Sequence, residues 1–181
     1  MAKRPGADHP LRILFATSEI APWVKTGGLG DVAGALPAAL RAAGLDVRVL
    51  VPAYPALLHA FPSAREVAEL TDLGGELPAA TLREATTADG VPLLLLDCPA
   101  LYDRPGNPYL NGAGQDWPDN ALRFGLLSRV AALLGSRANP LPWQAQLVHC
   151  NDWQTALAPS YLKYGGSPHV PSLVTVHNLA F

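Results

Sequence analysis

Two compact apolar runs, Leu11–Thr17 (LRILFAT) and Asp46–Val51 (DVRVLV), flank a stretch in which Val32, Leu36, Leu40 and Ala43 recur at spacings of three and four. Both runs carry β-branched residues and predict buried strands. The spacing between them predicts an amphipathic helix, and Gly44 supplies the left-handed position that ends one. Strand, helix and strand in so short a span form a βαβ unit. Its two strands must be parallel, and its crossover right-handed.

The pattern then loosens and returns. Arg83–Thr87 and Val91–Asp97 flank Ala88-Asp89-Gly90, a hairpin-type turn that predicts an antiparallel excursion. From Asp97 to Asn120 the chain is rich in Pro, Gly, Asn and Asp, and a loop of that length is either functional or disordered. Its aromatics Tyr102, Tyr109 and Trp117 favour order. Leu122, Leu126, Val130 and Leu133 mark a helix that Pro118 and Asp119 can start and Gly135 can stop. Ala145–Cys150 reads as a strand, Trp153–Tyr164 as a helix interrupted by Pro159, and Ser172–Val176 as a last strand. The expected fold is α/β: an open, mostly parallel sheet with helices on both faces and the last strand on a bare edge.

Composition narrows the functions such a domain can have. With 181 residues, 49% of them hydrophobic, the chain suffices for one domain with a real core. Only 15% are charged and the net charge is −2, so the basic footprint of a nucleic-acid binder is missing. Apolar runs such as Val91–Leu96 fall short of the ~20 residues that cross a bilayer, so no membrane span is expected. Met1–Pro10 has Lys3 and Arg4 but no apolar stretch after them, which does not read as a secretory leader and implies a cytoplasmic location. Cys98 and Cys150 follow apolar runs in unrelated segments, as reduced core thiols do, rather than a disulfide or metal site.

Open parallel sheets bind ligands beyond the carboxyl ends of their strands. After the first strand the chain reads Ser18-Glu19-Ile20-Ala21-Pro22-Trp23-Val24-Lys25-Thr26-Gly27-Gly28-Leu29-Gly30-Asp31 and enters the helix. Glycines at a helix amino terminus let backbone N–H groups approach an anion, and a neighbouring lysine adds a full positive charge. A dinucleotide fingerprint would place its glycines directly after the strand and an acidic residue at the end of the second. Here about ten residues intervene and the second strand ends in Val51-Pro52, against that reading. A P-loop is excluded because Lys25 precedes the glycines. Two readings stay open on spacing alone: a phosphate site, or a tight turn beside a solvated lysine. Asp152, immediately before a helix, is likewise a natural N-cap on position alone. His177, after a strand end, would by itself be an ordinary surface or core histidine.

The string Lys25-Thr26-Gly27-Gly28-Leu29-Gly30-Asp31-Val32, followed by Gly34-Ala35-Leu36-Pro37, closely resembles the signature of bacterial glycogen synthases and plant starch synthases. Three further strings match in order: Leu101–Tyr109 (LYDRPGNPY), His149–Thr155 (HCNDWQT) and Thr175–Ala180 (TVHNLA). The resemblance implies one Rossmann-like half of the two-domain GT-B fold, with residues 1–181 as the amino-terminal domain. It also implies a carboxyl-terminal nucleotide-binding domain that this sequence lacks, so the chain alone is not expected to complete the reaction.

That reaction would be transfer of glucose from ADP-glucose to the non-reducing end of an α-1,4-glucan such as glycogen, with retention and with no metal or other cofactor. Lys25 and the amides around Gly27 and Gly28 would stabilise the leaving diphosphate. His177 and Asp152 would be the catalytic pair beside the glucose, the carboxylate holding sugar hydroxyls, and Asn178 a second polar contact. Tyr109, preferred over Tyr102, would either stack on acceptor sugars or pack the long loop. Some family members have histidine where this chain has Asn151, and no role is carried to that position. The competing class is a non-catalytic domain of the same descent that binds glucan or pairs with another subunit.

Overall fold

The computed structural model describes residues 10–166 and 168–178. The leader reading of Met1–Pro10, apart from Pro10, and Leu179 and Ala180 of the last motif lie outside them. β1 (Arg12–Ala16) and β2 (Asp46–Pro52) pair in parallel, with Ile13 opposite Val47 and Phe15 opposite Val49. The helix between them, α1, spans Gly28–Ala42, and two short helices, α2 (Pro55–Ala60) and α3 (Pro99–Tyr102), come later in the chain. Gly44 at φ +89° donates its N–H to Arg41 O at 2.9 Å, the left-handed stop the sequence predicts.

β5 (Pro92–Asp97) joins β2 in parallel, β6 (Leu147–Asn151) joins β1, and β7 (Ser172–Thr175) joins β6. The predicted antiparallel excursion is present: β4 (Ala80–Thr86) pairs with β5 around a turn in which Gly90 takes φ +83°. A further strand, β3 (Arg65–Leu70), pairs antiparallel with β4 and completes a seven-stranded sheet in the order β3-β4-β5-β2-β1-β6-β7. β3 is not evident from the sequence because Arg65, Glu66 and Glu69 break its apolar signal. Such charges are how an edge strand resists further pairing. At the opposite edge no strand among the described residues pairs with the outer side of β7, and its Leu173 and Val174 are exposed.

Right-handed crossovers decide where the helices lie. The step from β1 to β2 runs one way along the sheet. The step from β5 to β6 through α4 (Asn120–Leu134) runs the other way, as does the step from β6 to β7 through α5 (Ala158–Tyr164). α1 therefore covers one face, and α4 and α5 pack together on the other.

Two helices differ from their predicted stripes. α1 turns Leu29, Ala33 and Pro37 inward, while Val32, Leu36 and Leu40 are half-buried and Ala43 is exposed. Small residues permit this closer approach: a Cβ on Gly34 would lie 3.0 Å from the Ala21 carbonyl oxygen. α4 is buried well beyond Leu126 and Val130, taking in Phe124, Leu127, Ala131 and Leu134, because it lies between the sheet and the segment that leads into α5. The helix expected across Trp153–Tyr164 divides into a 3₁₀ turn at Trp153–Thr155 and α5, with Pro159 in the first turn of α5. Proline there starts a helix rather than interrupting one, since its missing N–H would have had no partner.

The core runs through the central strands, where Leu14, Phe15, Val49, Leu50 and Leu93–Leu96 are almost wholly buried. Cys98 and Cys150 are unpaired and buried within it, and burial pushes the Cys150 thiol up to about 12. Among the described residues no helix is long and apolar enough to cross a membrane.

Candidate active site

A cleft of about 1030 Å³ opens beyond the carboxyl ends of β1, β6 and β7. Of the residues singled out from sequence, Gly27, Gly28, Tyr109, Asp152, His177 and Asn178 line it together. Lys25 does not. Its Nζ lies 2.8 Å from Asp31 Oδ1, and both side chains are about half exposed.

The glycine loop is held by a residue to which the sequence alone assigns no role. Glu19, just past β1, is 2% exposed, and its carboxylate accepts from Thr26 N at 2.6 Å, from Thr26 Oγ1 at 2.6 Å and from Gly27 N at 3.4 Å. An internal carboxylate thus already occupies the first amides of the loop. The first-turn amides of α1, from Gly28 onward, face outward from a helix amino terminus. Gly30 answers to the same packing: a Cβ there would meet the Lys25 side chain at 3.0 Å and Glu19 Oε2 at 3.2 Å.

Tyr109 belongs to the same network. Its hydroxyl donates to Glu19 Oε1 at 2.6 Å and lies 2.8 Å from Ser18 Oγ, which must then be the donor to it. Burial, and then the hydrogen bond to Glu19, raises the phenol far above its ordinary range. The ring stands beside Phe124 and Trp153, at 5.7 and 6.3 Å between centroids. Packing of the long loop accounts for these contacts, and the ring also lines the cleft.

The remainder of that loop is ordered from beneath. Arg123 of α4 is 1% exposed, and its guanidinium donates to Leu101 O at 2.8 Å, Pro108 O at 2.6 Å and Asn120 Oδ1 at 2.7 Å. Tyr102, buried, donates its hydroxyl to Arg123 O at 2.7 Å. Arg104 stacks over Trp117 at 4.7 Å and pairs with Asp119. α4 carries two arginines, Arg123 and Arg129, and nothing local in the sequence marks Arg123 as the buried one.

Asp152 occupies φ +61°, ψ −176°, a region that L residues rarely enter. Its N–H donates to Thr175 O at 2.8 Å, continuing the β6–β7 ladder, while its Oδ1 accepts from Trp153 N at 3.2 Å as a cap of the 3₁₀ turn. The N-cap reading is correct. Strain of this kind persists where the surroundings over-determine it, and here the ladder on one side and the cap on the other hold Asp152 in the cleft wall.

His177, just past β7, is half-buried with Nε2 3.2 Å from Asn151 Oδ1. His149, one strand over, sits edge-on to Phe15 with its Nε2 2.7 Å from Thr175 Oγ1. Burial, and then the neighbouring His177, lowers the His149 pKa, so the ring resists protonation. Glu19 and Asn151 share one sign readable in sequence: a polar residue at, or a few residues past, the carboxyl end of a buried strand.

An open parallel sheet whose polar side chains converge beyond three strand ends defines a ligand-binding α/β domain. Known proteins make the class specific. The family model described as the starch synthase catalytic domain matches residues 12–181, and the chain belongs to that family. It is 69% identical over 171 residues to a glycogen synthase of Dechloromonas aromatica (strain RCB), covering 94% of this chain and 35% of that protein. It is 51% identical over 185 residues to a glycogen synthase of Nitrosomonas europaea (strain ATCC 19718 / CIP 103999 / KCTC 2705 / NBRC 14298), covering 100% of this chain and 37% of that one. The chain thus spans about a third of the length of these curated relatives. Among solved structures it resembles the catalytic domain of starch synthase IV from Arabidopsis thaliana bound to ADP and acarbose. The TM-score is 0.69 and the identity 27%, over 94% of this chain and 34% of that one. The likeness bears out the expected fold, a mostly parallel Rossmann-like half of the GT-B arrangement.

Proposed function

We propose that this chain forms one wall of the active-site cleft of a glycogen synthase, which transfers glucose from ADP-glucose to the non-reducing end of an α-1,4-glucan with retention. The observation that carries the reading is the convergence of Asp152, His177, Asn178 and the Gly27–Gly28 turn on one cleft at the strand ends. The relatives' name, glycogen synthase, and the neighbour's bound ADP and acarbose point the same way.

Chemically, the departing nucleoside diphosphate needs preorganised positive potential. The outward amides of the first turn of α1 provide part of it. Lys25 provides the rest by exchanging Asp31 for a phosphate oxygen, a small sacrifice because exposed ion pairs are worth little. Across the cleft, Asp152 and Asn178 hold sugar hydroxyls, and His177 stands beside the anomeric centre, where oxygen acceptors favour an oxocarbenium-like state. Tyr109 contributes a ring edge toward the acceptor. The enzyme works in the cytoplasm, and residues 1–181 act as the amino-terminal domain, with the nucleotide held mainly by a second domain.

The test is incorporation of labelled glucose from ADP-glucose into glycogen. The purified chain alone should incorporate none, and the chain fused to the carboxyl-terminal part of a relative should incorporate it, with Lys25→Ala in the fusion lowering the rate by about a hundredfold. A folded fusion without incorporation overturns the proposal.

A further inference from the structure

Asn151, the last residue of β6, is fully buried, and among the described residues its side chain has three hydrogen-bond partners. Nδ2 donates to the carbonyl oxygens of Ala16 at 3.1 Å and of His149 at 3.3 Å, while Oδ1 faces His177 Nε2 at 3.2 Å. Carbonyl oxygens only accept, so the two of them determine which end of the amide is NH₂. The flipped amide would set its oxygen against both carbonyls and leave buried groups unsatisfied. Oδ1 must therefore face the imidazole. Being an acceptor itself, it requires a hydrogen on His177 Nε2.

We propose that Asn151 is a positioning residue that holds His177 in the Nε2–H form, its ring plane fixed and its Nδ1 lone pair left for a ligand. No other hydrogen bond engages the His177 ring among the described residues. The other nearby imidazole, His149, directs its Nε2 to Thr175 Oγ1 at 2.7 Å and not to His177. The anchor is itself rigid: Asn151 ties the ends of β1 and β6 together through Ala16 O, so the orientation of the ring is inherited from the sheet. A neutral His177 in this form offers the cleft an acceptor and no donor, which suits a ligand hydroxyl and not a phosphate oxygen. That consequence rests on the sugar-transfer reading; the tautomer does not.

The direct test is ¹⁵N NMR of the histidine-labelled chain at pH about 8.5, two units above the ordinary imidazole range. The His177 signals are identified by their loss in His177→Phe. The expected result is a discrete Nε2–H proton on His177 that exchanges with water about tenfold faster in Asn151→Ala. An Nδ1–H pattern in the parent, or equal exchange in a folded variant, overturns the proposal. If Asn151→Ala does not fold, the parent spectrum decides: a discrete Nε2–H signal sustains the proposal, and an averaged pair or Nδ1–H sinks it. In the fused enzyme, Asn151→Ala should lower kcat about tenfold with the KM for ADP-glucose nearly unchanged. Lack of transfer by the fused parent would tell against the transfer reading alone, and the tautomer would still stand or fall by the spectrum.

Discussion

The Tyr109 hydroxyl donates to Glu19 Oε1 at 2.6 Å, joining the long loop to the glycine loop across 90 residues of chain. The same carboxylate holds Thr26 through its N–H and its hydroxyl. Two loops that line the cleft are therefore one mechanical unit. Tyr109→Phe keeps the ring contacts with Phe124 and Trp153 but leaves the buried carboxylate short of a donor. Stability should fall by about 1–3 kcal/mol, read as the midpoint of urea unfolding. An unchanged midpoint would mean that the loops are held independently.

Arg123 carries a buried charge that has no carboxylate partner among the described residues, and satisfies it on three oxygens. Lysine cannot span all three, so Arg123→Lys should destabilise by about 2–4 kcal/mol and free the loop for proteolysis near Pro105–Gly114. Limited proteolysis of the folded variant, beside its unfolding curve, checks both parts. Order in the loop was legible from its three aromatics, Tyr102, Tyr109 and Trp117. Its hub was not, because Arg123 and Arg129 of α4 each read as an ordinary solvated arginine.

The backbone of Asp152 permits a separation of strain from side-chain chemistry. Asp152→Ala and Asp152→Gly both lose the carboxylate, and only alanine must keep a Cβ at φ +61°. The glycine variant should be the more stable by about 1–2 kcal/mol, and both should lose transfer in the fused enzyme. Equal stabilities would show that the region carries little strain.

His149 resists protonation in the folded chain, its pKa held below the ordinary 6.5 by burial and by His177. Below that value the unfolded chain takes up a proton that the folded chain does not. That stability is then fully present above about pH 6.5 and is lost progressively as the pH falls below that value through the lower folded one. Urea midpoints measured between pH 8 and pH 5 should decline, and His149→Gln should flatten the decline. An identical slope in the variant would assign the loss to other groups.

Gly135 ends α4 with φ −89°, a conformation open to any residue. Its identity follows from packing: a Cβ there would lie 2.5 Å from Val148 Cγ2 and 3.2 Å from Leu162 Cδ2. Gly135→Ala should destabilise by about 1–3 kcal/mol, and Val148→Ala should recover part of the loss in the double variant. Full additivity of the two would contradict the close contact.

Local patterns alone determined the parallel sheet, the hairpin of β4 and β5, the stop at Gly44 and the motifs that mark the family. Each of these depends on a few neighbouring residues whose periodicity or backbone freedom is written in the chain itself. Packing alone decided which stripe of α1 turns inward, why Gly135 must be glycine, and that Glu19, Asn151 and Arg123 organise the cleft. Those three are polar groups buried among partners distant in sequence. A buried polar group takes its role from the atoms that satisfy it, and those atoms come together only when β1, β6 and α4 close on one another.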